Sequence, residues 1–189
     1  MVEISDSLKS GDVLLIVDVQ KDFCPSGALP VEGGDTIVPV INRLIKAAVA
    51  KGVPVYASRD WHPAGHISFK EAGGLWPPHC IQDSDGAKFH PDLALPSSTV
   101  IVTKGVRFDQ DQNSAFDQTG LAAQLRKDGI RRLWVAGLAE DVCVLATVLD
   151  ACREGFKVVL IEKGTRPITA EGGEKARRQM KDAGAHIAE

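Results

Sequence analysis

Apolar residues fall in short blocks, separated by longer stretches in which they recur every third or fourth position. Val13 to Val19 (VLLIVDV) is apolar at almost every position and rich in β-branched residues. With Gly11 ahead of it and Phe23-Cys24-Pro25 behind, the run predicts a strand buried on both faces. Thr36 to Lys51 carries Ile37, Val40, Ile41, Leu44, Ile45 and Ala48 at helical spacing and is closed by Gly52. Pro39 falls in its first turn, where a missing N–H costs little. The same pattern predicts strands over Val53–Ser58, Thr99–Lys104, Arg131–Gly137, Lys157–Glu162 and Ala185–Ala188. Helices are predicted over Leu121–Asp128, about Asp141–Glu154 and about Glu174–Ala183, the first two ended by Gly129 and Gly155. Strands and helices therefore alternate, and the strands are apolar on both faces. This predicts an α/β fold: one domain over 1–189, a mostly parallel sheet of about six strands, and helices on both sides. There is no internal repeat, low-complexity tract or linker. The irregular stretch is Trp61 to Ser98, rich in Pro, Gly and His, and a loop region of that length is usually functional or disordered. Its aromatic and histidine content favours function.

Composition narrows the classes. A chain of 189 residues, 44% hydrophobic and 25% charged, is ordinary for a globular protein. A net charge of −3 and a pI near 6.0 provide no basic face for nucleic acid. No run approaches the roughly 20 apolar residues of a membrane span. Met1 to Asp12 is polar and mixed in charge, unlike an export signal, so the expected compartment is the cytoplasm and the expected partner a small molecule. The four cysteines (Cys24, Cys80, Cys143, Cys152) are then expected to be reduced thiols, available for metal or catalytic work.

Ligands of open parallel sheets sit beyond the carboxyl ends of the strands. Asp18 lies near the end of the first strand, Asp60 just past the second and Lys104 at the end of the third, while Cys143 follows the fourth by one turn. Any one of them alone reads as a cap, a rim ion pair or a core thiol; together they share one rim. Cys143 stands where a strand turns into a helix, so the helix dipole favours its thiolate, and nearby N–H groups are free to receive an oxyanion. Cys152 lies roughly half a turn around the same helix and reads as a core residue, and Cys24 and Cys80 as non-catalytic. With no histidine at a strand end outside 61–98, Asp18 and Lys104 are the groups available to serve the sulfur. A second cluster is Asp60-Trp61-His62-Pro63-Ala64-Gly65-His66 followed by Trp76-Pro77-Pro78-His79. It holds three of the five histidines beside a carboxylate, a donor mixture that suits Zn²⁺, Fe²⁺ or Mn²⁺ with positions left open. The bland alternative is a His-rich surface loop. His90 and His186 have no such company.

These residues resemble the nicotinamidase branch of the isochorismatase-like cysteine hydrolases over nearly the whole chain, from Leu14 to the last strand. The resemblance is carried by Val17-Asp18-Val19-Gln20-Lys21-Asp22-Phe23-Cys24, Asp60-Trp61-His62-Pro63 with His66, Trp76-Pro77-Pro78-His79-Cys80, Lys104-Gly105, Ser114-Ala115-Phe116 and Gly137-Leu138-Ala139-Glu140-Asp141-Val142-Cys143-Val144. It implies an Asp18–Lys104–Cys143 triad, in which Asp18 takes the thiol proton and the sulfur attacks a carboxamide to give a thioester. It also implies an oxyanion held by the N–H groups of Ala139 and Cys143, with a cis peptide before Ala139. One divalent transition metal, Zn²⁺ first with Fe²⁺ or Mn²⁺ admissible, would be held by Asp60, His62 and His79, with His66 a further ligand. Its open position would take a pyridine nitrogen, with Phe23 and Trp76 flanking the ring. Nicotinamide is the implied substrate, pyrazinamide an analogue, and a homo-oligomer is compatible with such a chain.

The chain departs from the family pattern at two places: Glu140 stands where Thr is usual, and Val142 where an aromatic residue or His is common. Glu140 either opposes thiolate formation or points to solvent. A metal-free relative acting on another amide or carbamoyl substrate leaves the 60–79 histidines unexplained, and a zinc-binding or redox-sensing module without turnover is the reading from another class. Cysteine phosphatase chemistry is excluded by Leu149, where that motif needs Arg, and no Gly-rich nucleotide-binding loop is present.

Overall fold

A computed structural model describes residues 7–189. Residues 1–6, where half of the polar stretch read as lacking an export signal falls, lie outside the described residues. Six strands form one sheet: β1 (Asp12–Val17), β2 (Val55–Asp60), β3 (Val100–Lys104), β4 (Arg132–Leu138), β5 (Lys157–Arg166) and β6 (His186–Ala188). Their order is β3-β2-β1-β4-β5-β6, and every neighbouring pair is parallel. The chain winds outward from β1 to one edge and then from β4 to the other, so the strand order reverses between β1 and β4, the place where open sheets leave a crevice.

The β1 pattern shows why both faces are covered. Leu14 and Ile16 join one apolar core, and Val13, Leu15 and Val17 join the other, as alternation of side chains across a strand requires. On the first face lies α1 (Val38–Ala50), burying Ile41, Leu44, Ile45 and Ala48 at helical spacing. Each large aliphatic side chain so buried contributes about 1.5–3 kcal/mol. On the second face lie α2 (Leu121–Lys127), α3 (Leu145–Arg153) and α4 (Ala170–Asp182), through Leu121, Leu125, Val148, Ala151, Ala176 and Met180. The irregular 61–98 stretch is ordered and packs on the same face as α1, where Cys80, Ala87 and Leu93 enter the core. With one helix there against three opposite, that loop completes the cover.

Most element boundaries shift by one or two residues from the sequence pattern, β1 ending at Val17 and β2 running to Asp60, and three changes are larger or of another kind. The expected helix from Asp141 begins as one π-helical turn, Glu140–Val144, before α3. β5 runs on past Glu162 to Arg166, its register against β4 shifting between Val135 and Gly137, so that Gly137 pairs with Thr165 and Leu138 with Arg166. α4 starts at Ala170 rather than Glu174, because the Thr169 side chain accepts from Gly172 N at 3.0 Å and caps it. Among the described residues, no helix is long and apolar enough to cross a membrane.

Candidate active site

The strand register sets four side chains on one rim. Asp60 ends β2 directly opposite Lys104, the last residue of β3. Asp18 follows β1, its N–H bonded to Ser58 O of β2 at 3.2 Å, and its backbone is left-handed at φ +47°. That conformation is sparsely populated by non-glycine residues and concentrates at functional positions. After β4 the chain makes a cis peptide between Leu138 and Ala139 and enters the turn that carries Cys143. Gly137 permits this path: at φ +131°, a Cβ there would lie 2.0 Å from Val17 O.

Lys104 is the hub. Its side chain is fully buried, with Nζ 2.8 Å from Asp18 Oδ2, 2.6 Å from Asp60 Oδ1 and 3.6 Å from Cys143 Sγ, and it donates to Gln112 O at 3.4 Å. Asp18 Oδ1 accepts from Ser58 Oγ at 2.7 Å. Ligand atoms of Asp18, Asp60 and Cys143 all lie within 4.8 Å of one another. That trio has metal-like spacing, but the Lys104 ammonium already bonds to it and supplies the cation. Burial works against the Lys104 charge, and the two carboxylates outweigh it and hold its pKa well above the usual value. Burial pushes the Asp18 carboxyl above the usual carboxylate range, with Lys104 opposing. Burial also pushes the Cys143 thiol well up, against Lys104 and with Asp18 and Asp60 adding to the rise. Burial and two carboxylates thus oppose the charge that the helix dipole favours on this sulfur, and Asp18 beside it is the group placed to take a proton.

The second cluster shares a residue with the first. Asp60, His62 and His79 are buried, and one ligand atom from each falls within the same 4.8 Å limit. The His62 Nδ1–H donates to Gly105 O at 3.0 Å and the His79 Nδ1–H to Pro77 O at 2.8 Å. Each ring is thereby fixed in the tautomer that leaves Nε2 with its lone pair, the arrangement that metal-binding histidines adopt. Burial lowers the His79 pKa, which keeps that ring neutral and able to ligate. Burial would raise the Asp60 carboxyl, but Lys104 and His62 hold it well below the usual range. Two imidazoles and a carboxylate, all buried and aimed together, fit a divalent transition ion. Gly105, at φ +66°, is required here because a Cβ would meet the His62 ring at 2.5 Å.

The structure does not bring His66 into this set. Its Nδ1 is 2.7 Å from Ser68 Oγ and its Nε2 3.2 Å from Gln110 O, so both nitrogens are engaged, and the ring stacks on His62 with centroids 4.2 Å apart. It braces His62 from behind. A narrow cleft of about 70 Å³, sized for a small molecule, opens over both clusters and is lined by Phe23, Trp76, His79, Ala139, Val142 and Cys143 among others. Glu140 does not point to solvent. It is 1% exposed and paired with Arg177 and Thr165.

Several supporting residues escape sequence reasoning. The Gln20 side chain clamps Asp60 by accepting from its N–H and donating to its carbonyl, both at 2.8 Å, and donates also to Ala87 O. Asp22 accepts from Cys80 N at 2.7 Å, which fixes the chain next to His79. Asn113 lines the cleft with Oδ1 3.9 Å from Cys143 Sγ. These are contacts across 30 to 67 residues of sequence. Of the three, only Gln20 and Asp22 carried a signal, as members of the motif around Asp18.

Known proteins resemble the chain over most of its length. The Isochorismatase domain model matches residues 12–189. The Escherichia coli nicotinamidase is 40% identical over 197 aligned positions covering 92% of each chain. A crystal structure of the Pyrococcus horikoshii pyrazinamidase in complex with zinc superposes with a TM-score of 0.92 at 43% identity, over 95% of this chain and 99% of that one. PnC1 from L. infantum in complex with nicotinate gives a TM-score of 0.88 at 40% identity, over 96% and 94%.

Proposed function

The chain belongs to the isochorismatase domain family, and we propose that within it the protein is a metal-dependent nicotinamidase, one domain acting in the cytoplasm. It hydrolyses nicotinamide to nicotinate and ammonia. The observation that carries this reading is Asp60. One of its oxygens takes the Lys104 ammonium at 2.6 Å while the other faces His62 Nε2 at 3.6 Å, so triad and ligand set form one site. Asp60, His62 and His79 would hold the ion, Zn²⁺ first. Bound there, it supplies a Lewis-acidic position open to water or to the ring nitrogen of the substrate.

The chain's own groups do the rest. Phe23 and Trp76 border the cleft and flank the pyridine ring, a stack worth about 0.5–1.5 kcal/mol beyond area burial. The carboxamide lies over Cys143. Asp18 accepts the thiol proton as the sulfur attacks the carbonyl carbon, and Lys104 balances the charge that gathers among Asp18, Asp60 and the sulfur. The oxygen that becomes negative is received by the N–H groups of Ala139 and Cys143. Asp18 returns its proton to the nitrogen, the C–N bond breaks and ammonia leaves. Water then cleaves the thioester with Asp18 again as base, releasing nicotinate.

The direct test is ammonia release from nicotinamide with and without added metal. Purified from metal-replete growth, the protein is expected to carry about one transition-metal ion per chain, and His62→Ala or His79→Ala to lose it. Gly105→Ala should weaken metal binding without replacing a ligand, by displacing the His62 ring. Elemental analysis finding no metal in a fully active preparation would overturn the metal assignment and favour a metal-free hydrolase of another amide or carbamoyl compound.

A further inference from the structure

Glu140 begins the turn that carries Cys143, yet neither it nor Arg177 lines the cleft. A carboxylate that is 1% exposed is expensive unless paired and hydrogen-bonded. Glu140 has both: an ion pair with Arg177 of α4 and a hydrogen bond from Thr165 Oγ1 of β5. Arg177 Nε lies a further 3.4 Å from Glu162 of β5. The next residue, Asp141, accepts from Ile168 N at 2.8 Å. Two consecutive acidic residues of the turn therefore tie it to β5, to α4 and to the connection between them. Within the turn, Ala139 O accepts from both Val142 N and Val144 N at 3.1 Å. Any shift of Glu140 thus moves Ala139 and Cys143 together.

From this arrangement we infer that the Glu140–Arg177 pair is a positioning device, by which α4 keeps the N–H groups of Ala139 and Cys143 aimed at one oxyanion. The inference rests on the nicotinamidase reading of the site. A pair that only stabilised the fold would change melting temperature and leave each folded active site as it was. A pair that aims the donors acts where the oxygen carries charge, so it governs kcat and leaves KM alone. It also governs affinity for pyridine-3-carbaldehyde. That aldehyde keeps the substrate's ring and has no leaving group. The Cys143 sulfur adds to its carbon, the C=O π pair passes to the oxygen and the thiol proton to Asp18, giving an adduct whose oxygen occupies the same place.

The experiment compares metal-replete wild type with E140Q, R177M and the double variant, with active sites titrated. Each single variant is expected to lose about tenfold or more in kcat, a modest share of what deleting one oxyanion donor costs. KM should stay within about twofold, and the aldehyde inhibition constant should rise by the same factor as kcat falls. The double variant strands no buried charge, so it should melt closest to wild type and still show both losses. If a single variant is not recovered folded, the double variant carries the test, as does T165V, which removes the hydroxyl shared by Glu140 and the Glu162 carbonyl and no charge. Unchanged kcat and aldehyde affinity per folded site overturn the inference, whatever happens to the melting temperature. Wild type that binds the aldehyde without hydrolysing nicotinamide overturns the substrate reading instead, and aldehyde affinity then decides the positioning role by itself.

Discussion

Cys143→Ala abolishes ammonia release from nicotinamide, with an expected loss in kcat on the order of 10⁴-fold or more, because groups that act as one unit fail together. Asp18→Asn is expected to fall by a similar factor for the same reason. Thiol acidity does not pick out this cysteine. Burial raises all four, Cys24 to about 11, and Cys80, Cys143 and Cys152 in the same direction. Surroundings pick it out. Cys143 has the Lys104 ammonium at 3.6 Å and Asp18 within reach as a base, whereas Cys152, on α3, is raised by burial alone. Cys152→Ala should therefore retain most of the activity. The measurement is steady-state kcat on both variants, each checked for an intact fold by thermal melting. Equal activity in the two would remove Cys143 as the nucleophile and leave the rim cluster as a structural ion network.

The contrast between these two cysteines was legible in the sequence because strand ends were. Val13 to Val19 reads as a strand buried on both sides, and β1 ends at Val17, so Asp18 near its end stands at the rim; Lys104 likewise ends the strand read from Thr99. The cluster of His62 and His79 beside Asp60 was legible as chemistry rather than as structure. What could not be read is whatever depends on partners remote in sequence. His66 has the spacing of a ligand, and only the positions of Ser68 Oγ and Gln110 O show that its nitrogens are spent. Glu140 reads from sequence as a charge that opposes the thiolate or points to solvent, because its partner Arg177 is 37 residues away on a helix whose start was itself misplaced. Burial cannot be read from one strand end either, and the enclosure of Cys143 beside two acids opposes the charge that the helix dipole favours.

Benzamide is expected to be a very poor substrate, about 10⁴-fold below nicotinamide in kcat/KM, because a site built to bond one polar atom rejects an analogue that lacks it. Benzamide has the same ring shape and carboxamide, so contacts with Phe23 and Trp76 and the approach of Cys143 are available to both. The difference is the ring nitrogen. Stacking, worth about 0.5–1.5 kcal/mol, is similar for the two rings and predicts almost no discrimination. A metal on Asp60, His62 and His79 predicts a large one, since losing its bond to the ring removes the contact that orients the carboxamide. Pyrazinamide keeps a nitrogen at the same ring position and should be accepted. The check is kcat/KM for all three amides on one metal-replete preparation. Benzamide within about tenfold of nicotinamide, a gap of only about 1.4 kcal/mol, would mean that the metal does not read the ring nitrogen. The cleft would then select by ring size alone, and the activity would be that of a general cysteine amidase.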